Sequence, residues 1–485
     1  MKKETNLKSS WTSCPACQGR GQNRRKLAKK EQVRYQNEVA EFNKNNTIGV
    51  PPARPIGSLH ACTKCAGSGL VEVEYQPEIN TINYPHVAII GGGIGGAALA
   101  VACLHRGIPF TLYERDDRFE ARSQGYGLTL QQASKAIKGL GIATLESGIV
   151  STKHIVHNTE GKVLGEWGMR KWAPTNPKES AKRTNIHIAR QSLRLALLEA
   201  INTQDKIKWG HQLVDLQNKE GEGVTLTFEV NGQLQHATAD LVVGADGIRS
   251  TVRRLVLGED NTPLRFLDCI VILGICSLES LQHLESPLLD SATVFQTANG
   301  NERIYIMPYD KDSVMWQLSF PMLEEEAKKL SALGPKYLKQ EAIRRTQWHS
   351  PIPEILEATP QELVSGYPVY DREILSASQL ENAGAITLIG DAAHPMSPFK
   401  GQGANQALLD ALALARAITQ GSQEAFHWKK EGVRKSILAN FEAEMIKRTA
   451  VKVKDSATAA AFLHTENVLQ ESNSPRGKAR NNAEQ

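Results

Sequence analysis

The sequence predicts an α/β protein in which a three-layer domain on a parallel sheet is interrupted by a mainly antiparallel sheet. Two observations lead to this prediction. From residue 86, "HVAIIGGGIGGAALAVACLHRGIPFTLYERD" places an apolar strand, a glycine turn, a helix and a second strand in a row. Between about residues 264 and 374 the β-like runs "DCIVILGICSL", "RIYIMPY" and "SVMWQLSF" follow one another, and strand–helix alternation returns afterwards.

The chain has 485 residues, which is more than one hydrophobic core usually serves, so several structural units are expected. The sequence predicts six segments. They are a cysteine-rich module at 1–80, the first part of the three-layer domain at 84–270, the antiparallel sheet at 271–374, the return of the first domain at 375–425, a C-terminal helix at 426–470 and a disordered polar tail at 471–485.

Positive charge is concentrated at the start of the chain. Residues 1–75 hold 13 Lys and Arg against 6 Asp and Glu, which leaves 44 against 46 in the remainder. In the basic stretch, Tyr35, Val39 and Phe42 recur at i, i+4 and i+7, so a short helix with one apolar stripe is expected. A solvated helix face and a site for nucleic acid or another acidic partner both fit this stretch.

No membrane span or secretory leader is expected, because the start of the chain has no apolar region and no long uncharged stretch follows. The expected location is the cytoplasm. Four of the seven cysteines form two C-x-x-C pairs and the other three are scattered, which fits reduced thiols and a metal better than a set of disulfides.

Each cysteine pair continues as C-x-x-C-x-G-x-G. The glycines let backbone amides turn towards the sulfurs, and each pair supplies half of a tetrahedral zinc site. A structural zinc bound by Cys14, Cys17, Cys62 and Cys65 is therefore expected. The paired repeat resembles the cysteine-rich motif of DnaJ-type chaperones, but it occurs in only two copies and no J-domain is evident, so chaperone activity is not implied.

The first glycine turn has the spacing of a dinucleotide site. Gly91 allows a tight bend, Gly93 lets a pyrophosphate approach the backbone, and Gly96 lets the helix pack closely on the strand. Glu114 ends the next strand and can accept a hydrogen bond from a ribose hydroxyl. An acid at this position favours an unphosphorylated adenosine ribose, so the turn predicts FAD or NAD.

A second strand-to-helix turn, "GDAAHPMSPFKGQGANQALLDALALA" at 390–415, favours FAD. Its strand ends at Asp391, two prolines fix the loop, and residues 401–404 expose amides at the positive end of a helix. Such amides can stabilise the anion of a reduced flavin, whereas nicotinamide carries no comparable anion. His394 is interpreted as loop structure, because nothing nearby in the sequence supplies an orienting partner.

Three motifs in register, "GGGIGG…YERD", "GADGIRSTVR" and the 390–415 stretch, resemble those of the single-component FAD-dependent aromatic hydroxylases. This family includes para-hydroxybenzoate hydroxylase and the tetracycline-modifying flavin monooxygenases. The resemblance covers about residues 84–465 and implies a Rossmann-like FAD-binding domain with an inserted substrate sheet.

The resemblance also implies roles for individual residues. Glu114 would bind the adenosine ribose with Arg115 beside it, and Arg190 would reach the ribityl-pyrophosphate region. Asp246 and Gly247 match a segment that the family uses for both FAD and the nicotinamide cofactor. Asp391 matches the aspartate that holds the ribityl chain, and Pro398, Gly401 and Gly403 would border the flavin ring.

The implied reaction is a hydroxylation. NAD(P)H would reduce FAD, O₂ would add to the flavin C4a position to give a hydroperoxide, and an aromatic or polyketide-like substrate would take up the distal oxygen. Substrate contacts are expected on the inserted sheet, and the aromatic and amide residues proposed for them are Phe295, Trp316, Gln317 and Tyr367. No catalytic acid, base or nucleophile is assigned.

Two other functions fit the same sequence. In one, the zinc module binds a protein or nucleic acid and the flavin domain acts as a redox sensor or modifies that partner. In the other, the same fold carries out epoxidase or reductase chemistry on a lipid. Substrate identity, the choice of NADH or NADPH and the oligomeric state are not determined by the sequence.

Overall fold

The computed structural model describes residues 10–44, 51–55, 57–121, 125–131, 133–142, 144–168, 185–201, 204–219, 223–258, 261–422 and 427–475. Its contacts divide the chain into two compact units, Met1–Pro77 and Glu78–Gln485. Residues 476–485 of the predicted tail lie outside the described residues. None of the helices described here is both long enough and apolar enough to cross a membrane.

The first unit is small and has almost no apolar core. Its elements are β1 Ser10–Ser13, β2 Gln22–Arg24, α1 Lys29–Lys44, β3 Leu59–Ala61 and β4 Leu70–Val73. β1 pairs with β4 and β2 with β3, both antiparallel. α1 contains the predicted stripe, and Tyr35, Val39 and Phe42 are only half-buried. Among the described residues, the buried cluster of this unit consists of four cysteines with Val71 packed against them. The fold of this unit therefore needs a source of stability other than apolar packing.

The second unit contains eleven helices within the described ranges, numbered on from α1. They are α2 Ile94–Leu104, α3 Ser134–Lys138, α4 Arg190–Ile201, α5 Thr251–Leu257, α6 Glu324–Ala332, α7 Pro335–Arg345, α8 Ile352–Ala358, α9 Ala377–Leu380, α10 Gly403–Gly421, α11 His427–Glu431 and α12 Ala439–Phe462.

Its strands fall into four sheets. They are β5 Val87–Ile90, β6 Phe110–Tyr113, β7 Gly127–Leu130, β8 Ile149–Val150, β9 Lys153–His157, β10 Val163–Trp167, β11 Ile186–Ala189, β12 Ile207–Lys208, β13 Gln212–Lys219, β14 Gly223–Val230, β15 Gln233–Ala239, β16 Leu241–Gly244, β17 Leu264–Ser277, β18 Thr293–Ala298, β19 Arg303–Pro308, β20 Ser313–Pro321, β21 Val364–Arg372 and β22 Ile386–Leu388.

The parallel sheet has the order β12-β6-β5-β16-β22. Successive residues of its strands face opposite layers. Ile89 points towards α2, where it lies beside Gly96, while Tyr113 stacks on Phe228 of the β13–β15 meander at 4.3 Å. Helices and a β-meander therefore cover the two faces, which makes three layers as predicted. The chain runs from β5 to β6 on one side and returns to β16 on the other, and ligands bind at such a switch point.

The antiparallel sheet has the order β10-β9-β18-β19-β20-β17-β21, and its only parallel pair in the described chain is β18 with β9. The sequence placed this sheet at 271–374, but β9 and β10 join it from within the segment assigned to the first domain. β17 also begins earlier, at Leu264. These differences arise because strand partners are chosen by free sheet edges in three dimensions, which local sequence patterns do not reveal.

Two helices position the site. α10 packs on α2 under the parallel sheet and begins directly after the 390–401 loop. α12 contacts α10, the 3₁₀ turn Pro398–Lys400 and β17 of the antiparallel sheet. A short π-helical segment, Arg434–Leu438, precedes α12, so the predicted C-terminal helix is interrupted near its start.

Candidate functional site

A single large cavity, of about 2220 Å³, lies between the carboxyl ends of the parallel strands and one face of the antiparallel sheet. Pockets for one small molecule usually hold 300–1,000 Å³. Gly93, Gly247 and Asp391 border the cavity from the first domain, and Gln317 and Tyr367 border it from the antiparallel sheet. The cavity therefore has room for a large cofactor and a second ligand together.

The three glycines of the first turn meet different surroundings. Gly91 has a φ of +107°, and a Cβ there would lie 2.6 Å from the Ala245 carbonyl oxygen. A Cβ on Gly96 would lie 1.9 Å from the Gly91 carbonyl oxygen, whereas a Cβ on Gly93 would meet nothing within 4 Å. Gly91 and Gly96 are thus required by close packing, and Gly93 leaves open space at the N-terminus of α2.

Glu114 is buried and supports the same turn. Its Oε2 accepts a 2.8 Å hydrogen bond from the Gly92 amide and its Oε1 accepts one of 3.1 Å from the Asp116 amide. Arg194 lies 3.6 Å from Oε2 and donates from Nε to the Gly92 carbonyl at 2.8 Å. Sequence reasoning missed Arg194, although it is the one basic residue in the mostly apolar run "LRLALLEAI", a pattern that is compatible with a buried pair.

The 246–247 segment divides into two roles. Asp246 accepts hydrogen bonds from Ser250 Oγ and from the amides of Thr251 and Val252, so its carboxylate caps α5. Burial raises the pKa of Asp246, partly offset by these donors. Gly247 has a φ of +83° and borders the cavity with open space where a side chain would project. Only Gly247 of this predicted pair borders the cavity.

Asp391 points into the cavity, within the described residues, without a hydrogen bond or an ion pair. The residue is accessible from the cavity, yet protein atoms surround the carboxylate, and this desolvation raises its pKa while His394 and Arg190 lower it. The turn that carries it is fixed by Gly390, whose φ is +58°, and by Arg253, which donates to the carbonyl oxygens of Ala392 and Ala393 at 2.9 Å. An unpaired carboxylate held this rigidly is a ready acceptor for ligand hydroxyl groups.

The loop before α10 forms another wall of the cavity. Pro398, Gly401 and Gly403 all border it, and Gly401 has a left-handed backbone with a φ of +58°. α10 begins at Gly403, so the amides of its first turn have no acceptor inside the helix and face this wall. Asn405, which sequence reasoning did not single out, donates to the carbonyl oxygens of Thr129 and Gly401 and fixes the loop against β7.

The two predicted arginines are placed differently. Arg190 begins α4, borders the cavity and lies 5.2 Å above the ring of Tyr126. Arg115 is exposed on the surface and does not border the cavity. The predicted residues that border the cavity are therefore Gly93, Arg190, Gly247, Asp391, Pro398, Gly401 and Gly403. Gly91, Gly96, Glu114, Arg115 and Asp246 do not border it.

The predicted substrate residues divide by strand face. Phe295 and Trp316 are buried on the outer face of the antiparallel sheet, where the Trp316 Nε1 donates to Thr359 Oγ1 at 2.8 Å. Trp316 does not border the cavity, so its prediction is corrected to a core residue, whereas Phe295 belongs to the same core cluster but also borders the cavity and stays a prediction. Gln317 and Tyr367 face the cavity. Alternation along each strand explains the split, since Trp316 and Gln317 are neighbours.

His394 has an orienting partner, which corrects its interpretation as unsupported loop structure. Its Nε2 lies 2.6 Å from Asp410 Oδ2, which also accepts a 2.9 Å hydrogen bond from the Gly390 amide. Arg448 of α12 donates to Asp410 Oδ1 at 2.7 Å. Asp410 thus joins α10, α12 and the turn before Asp391. A single acid inside the apolar run "QALLDALALA" was the signal for a buried pair.

We expect Asp410→Asn to lower the free energy of unfolding by about 3 kcal/mol, because the polar groups of Arg448 and His394 would stay buried after losing the carboxylate that pairs with them. Burial alone raises the pKa of Asp410, but His394 and Arg448 outweigh it and lower the pKa. The contribution of the Asp410 carboxylate to stability is therefore fully present above the ordinary carboxyl pKa. It is lost as the pH falls through the lowered pKa of Asp410 in the folded protein. Denaturant unfolding measured from about pH 3 to about pH 7 covers the range in which carboxyl groups titrate. It measures both the loss of stability in Asp410→Asn and the dependence of stability on pH. The exposed Asp312→Asn is the control, and equal stability of the two variants would contradict the prediction.

The four cysteines of the first unit converge on one point. Their sulfurs lie within 4.8 Å of one another, with 3.9 Å between Cys14 and Cys62 and 3.7 Å between Cys17 and Cys65. A tetrahedral zinc with Zn–S bonds of about 2.3 Å separates its sulfurs by about 3.8 Å. The amides of Gly21 and Gly69 each donate to a cysteine sulfur at 3.2 Å. The donor set and spacing fit a thiolate-bound zinc ion.

Three features of the cavity fit FAD. The open space at Gly93 accommodates a pyrophosphate beside the N-terminus of α2, and the unpaired Asp391 accommodates ribityl hydroxyl groups. The free amides at the start of α10 accommodate an electron-rich ring. These features lie at the switch point of a parallel sheet, which is where dinucleotides bind in Rossmann-like proteins. The fold and the site therefore define a flavoprotein of the Rossmann-like class.

Comparison with known proteins agrees with this class. The family described as "FAD binding domain" matches residues 84–426, and the chain belongs to this family. The chain is similar to the FAD-dependent monooxygenase thnD of Trichoderma harzianum, with 26% identity over 76% of this chain and 91% of the relative. It is also similar to the aurachin C monooxygenase/isomerase of Stigmatella aurantiaca, with 28% identity over 69% of this chain and 80% of the relative. The protein is therefore an FAD-dependent monooxygenase, and the predicted enzyme class is confirmed.

Solved structures confirm the predicted fold. HpxO of Klebsiella pneumoniae, complexed with FAD and uric acid, has a TM-score of 0.66 and 18% identity, covering 81% of this chain and 95% of its own. PqsL of P. aeruginosa, in complex with 2-aminobenzoylacetate, has a TM-score of 0.62 and 23% identity, covering 80% and 99%. Both likenesses concern the fold alone.

Proposed function

We propose that the protein uses NAD(P)H and O₂ to hydroxylate an aromatic or polyketide-like small molecule, with FAD as its resident cofactor. The observation that carries this proposal is the single cavity, which joins the dinucleotide cradle to the inner face of the antiparallel sheet. A second ligand on that face would lie against the cofactor. HpxO and PqsL, which share the fold, are described with uric acid and with 2-aminobenzoylacetate bound.

FAD, when bound, would supply the electron transfer between NAD(P)H and O₂. The chain would hold it through the amides at Gly93 and at the start of α10 and through the Asp391 carboxylate. Gly247, between β16 and α5, leaves room for the cofactor or for a nicotinamide nucleotide, as the sequence predicted. Glu114 and Arg194 would not contact the cofactor themselves but fix the glycine turn that binds it.

The antiparallel sheet would keep the reacting centre dry and orient the substrate. Val294, Met307 and Met315 form an apolar patch facing the cavity. Burial raises the pKa of Tyr305 to about 12 and raises that of Tyr367 as well, so both phenols stay neutral at physiological pH. Neutral phenols can donate hydrogen bonds to a substrate oxygen, and the apolar patch strengthens such bonds by excluding water.

The test is turnover with isotopically heavy O₂. We expect the FAD-loaded protein to oxidise NADH or NADPH faster when the right phenolic or polyketide compound is added, and to place one labelled oxygen atom in the product. Screening a phenolic library by nucleotide absorbance and then by mass spectrometry identifies the substrate. A flavin that neither nucleotide reduces, or a product without the label, would contradict the proposal. Excess hydrogen peroxide without substrate would only show uncoupled oxidation.

We propose further that Met1–Pro77 is a zinc module. Its support is the sulfur spacing and the absence, among the described residues, of any other buried core in that unit. The seven cysteines, all of which lie within the described residues, form no disulfide, and we propose a cytoplasmic location, where thiols stay reduced. An acidic or nucleic-acid partner for the basic residues of this unit stays a prediction from sequence.

A further inference from the structure

A buried arginine faces the cavity from the antiparallel sheet. Arg303 begins β19, and the alternation of this strand puts Ile304 and Ile306 in the outer core with Trp316. Arg303, Tyr305 and Met307 therefore share the inner face, and all three border the cavity. Arg303 is only 5% exposed. The local sequence pattern around Arg303 did not indicate a role in the site.

The guanidinium of Arg303 has no acidic partner within ion-pair distance in the part of the chain that the structure describes. Its Nε donates to Gln296 Oε1 at 2.7 Å, and its Cζ lies 4.9 Å from the centre of the Tyr305 ring. Within the described residues, its two terminal nitrogens donate no hydrogen bond to a protein acceptor. Burial lowers the pKa of Arg303 to about 10, so the group still carries its charge at neutral pH.

A buried charge without a counter-ion is costly to the folded protein. The contact with Gln296 and the ring of Tyr305 offset part of this cost but supply no negative charge. The planar guanidinium presents two parallel N–H groups that match the two oxygens of a carboxylate. A bound anion would therefore supply the negative charge that the fold alone does not place beside the Arg303 guanidinium.

The charge of the cavity points the same way. Eight Lys or Arg residues border it against two Asp residues, although residues 76–485 as a whole hold 44 basic and 46 acidic side chains. The excess positive charge is thus concentrated at the site. A cleft with one sign of charge and apolar walls raises the local concentration of ligands of the opposite sign.

We propose that the substrate of this enzyme is an aromatic anion, and that its carboxylate or ionised hydroxyl group binds the terminal nitrogens of Arg303. Gln296 holds the guanidinium in place, and the substrate ring lies on the apolar patch of Val294, Met307 and Met315. This inference rests on the proposed function, because it names the substrate class of the same cavity. Arg303 is on the antiparallel sheet, whereas the predicted flavin contacts are on the parallel-sheet domain, so the anion is assigned to the substrate.

The experiment compares matched acids and amides on the FAD-loaded protein. Salicylate and salicylamide, anthranilate and anthranilamide, and 2-naphthoate and 2-naphthamide are titrated while the flavin absorbance is recorded. We expect at least one acid to bind about 10- to 100-fold more tightly than its amide, the range given by a charge-assisted hydrogen bond. Arg303→Gln should remove this preference and Arg303→Lys should retain part of it.

Two readouts separate a binding role from a structural one. Arg303→Gln should keep or raise the thermal stability of the apoprotein, because it removes an unpaired buried charge. The matched control is Arg345→Gln at the end of α7, where the arginine lies over Phe320 on the outer side of the sheet and pairs with Glu302 and Glu341. This control should lower the stability and leave the preference for acids unchanged.

Three results would overturn the inference. They are equal binding of every acid and its amide, a preference that persists in Arg303→Gln, and a loss of FAD affinity in Arg303→Gln as large as the loss of acid binding. The last result would assign the charge to the flavin. Calorimetry on the apoprotein reads the acid preference without flavin. A protein that prefers acids but refuses FAD would therefore contradict the proposed function and keep the assignment of Arg303.

Discussion

Replacing Gly93 by aspartate should lower the affinity for FAD by at least about 100-fold while the apoprotein stays as stable as the wild type. The new carboxylate would project into the open space at the N-terminus of α2, where a pyrophosphate is expected. Two like charges about 4 Å apart at a protein surface repel by roughly 4 kcal/mol, which exceeds the 100-fold threshold. Aspartate is also a favoured N-cap, so the helix loses nothing.

Gly96→Ala is the matched control for this prediction. A Cβ at Gly96 would lie 1.9 Å from the Gly91 carbonyl oxygen, so the turn must open and the free energy of unfolding should fall by about 3 kcal/mol or more. Titrating apoprotein with FAD, followed by flavin fluorescence, and thermal unfolding without FAD measure the two effects. A yellow Gly93→Asp protein with wild-type affinity would remove the glycine turn from the cofactor site.

Removing one cysteine of the cluster should unfold the first unit. In Cys17→Ser the bound zinc should fall from one per chain to none, since three thiolates and a hydroxyl hold the ion weakly. Zinc-finger peptides gain about 10–16 kcal/mol from their metal, and Met1–Pro77 has no apolar core in its described residues to replace this energy. Limited proteolysis and metal analysis should show a cleaved N-terminal unit beside an intact FAD-loaded remainder.

Cys103→Ala provides the control for the cysteine prediction, because Cys103 is equally buried but lies in α2, outside the cluster. Its zinc content and protease resistance at the N-terminal unit should equal those of the wild type. Cobalt added in place of zinc should give the visible absorption of a tetrahedral thiolate site. A wild-type protein without metal, or one that a chelator leaves equally resistant to protease, would contradict the zinc proposal.

The sequence predicted those parts of the molecule in which a short segment contains all the interacting atoms. The turn at Gly91, Gly93 and Gly96 is local, because a strand, a tight bend and a helix are specified by neighbouring residues. The same holds for each cysteine knuckle, whose glycines turn amides onto sulfur. The family, the fold class and the enzyme class followed from such segments and are confirmed.

The sequence did less well where a role depends on which face of a strand is covered. Trp316 and Gln317 are adjacent, and only the packing of α7 and α8 on one face of the sheet decides which of them reaches the cavity. Asp246 was matched to a cofactor segment, whereas its carboxylate caps α5. Arg115 stands beside the buried Glu114 in the chain but points to the surface.

By itself, the sequence predicted that a dinucleotide would lie across a glycine turn, that a second turn at Asp391 would face it, and that four cysteines would form a metal-binding set. The tertiary structure alone decided that Asp410 orients His394 across 16 residues and that Arg303 faces the cavity without a counter-ion among the described residues. The physical reason is that both depend on contacts between elements far apart in the chain. Burial and pairing of a charge are properties of the packed molecule, and the local pattern of residues does not contain them.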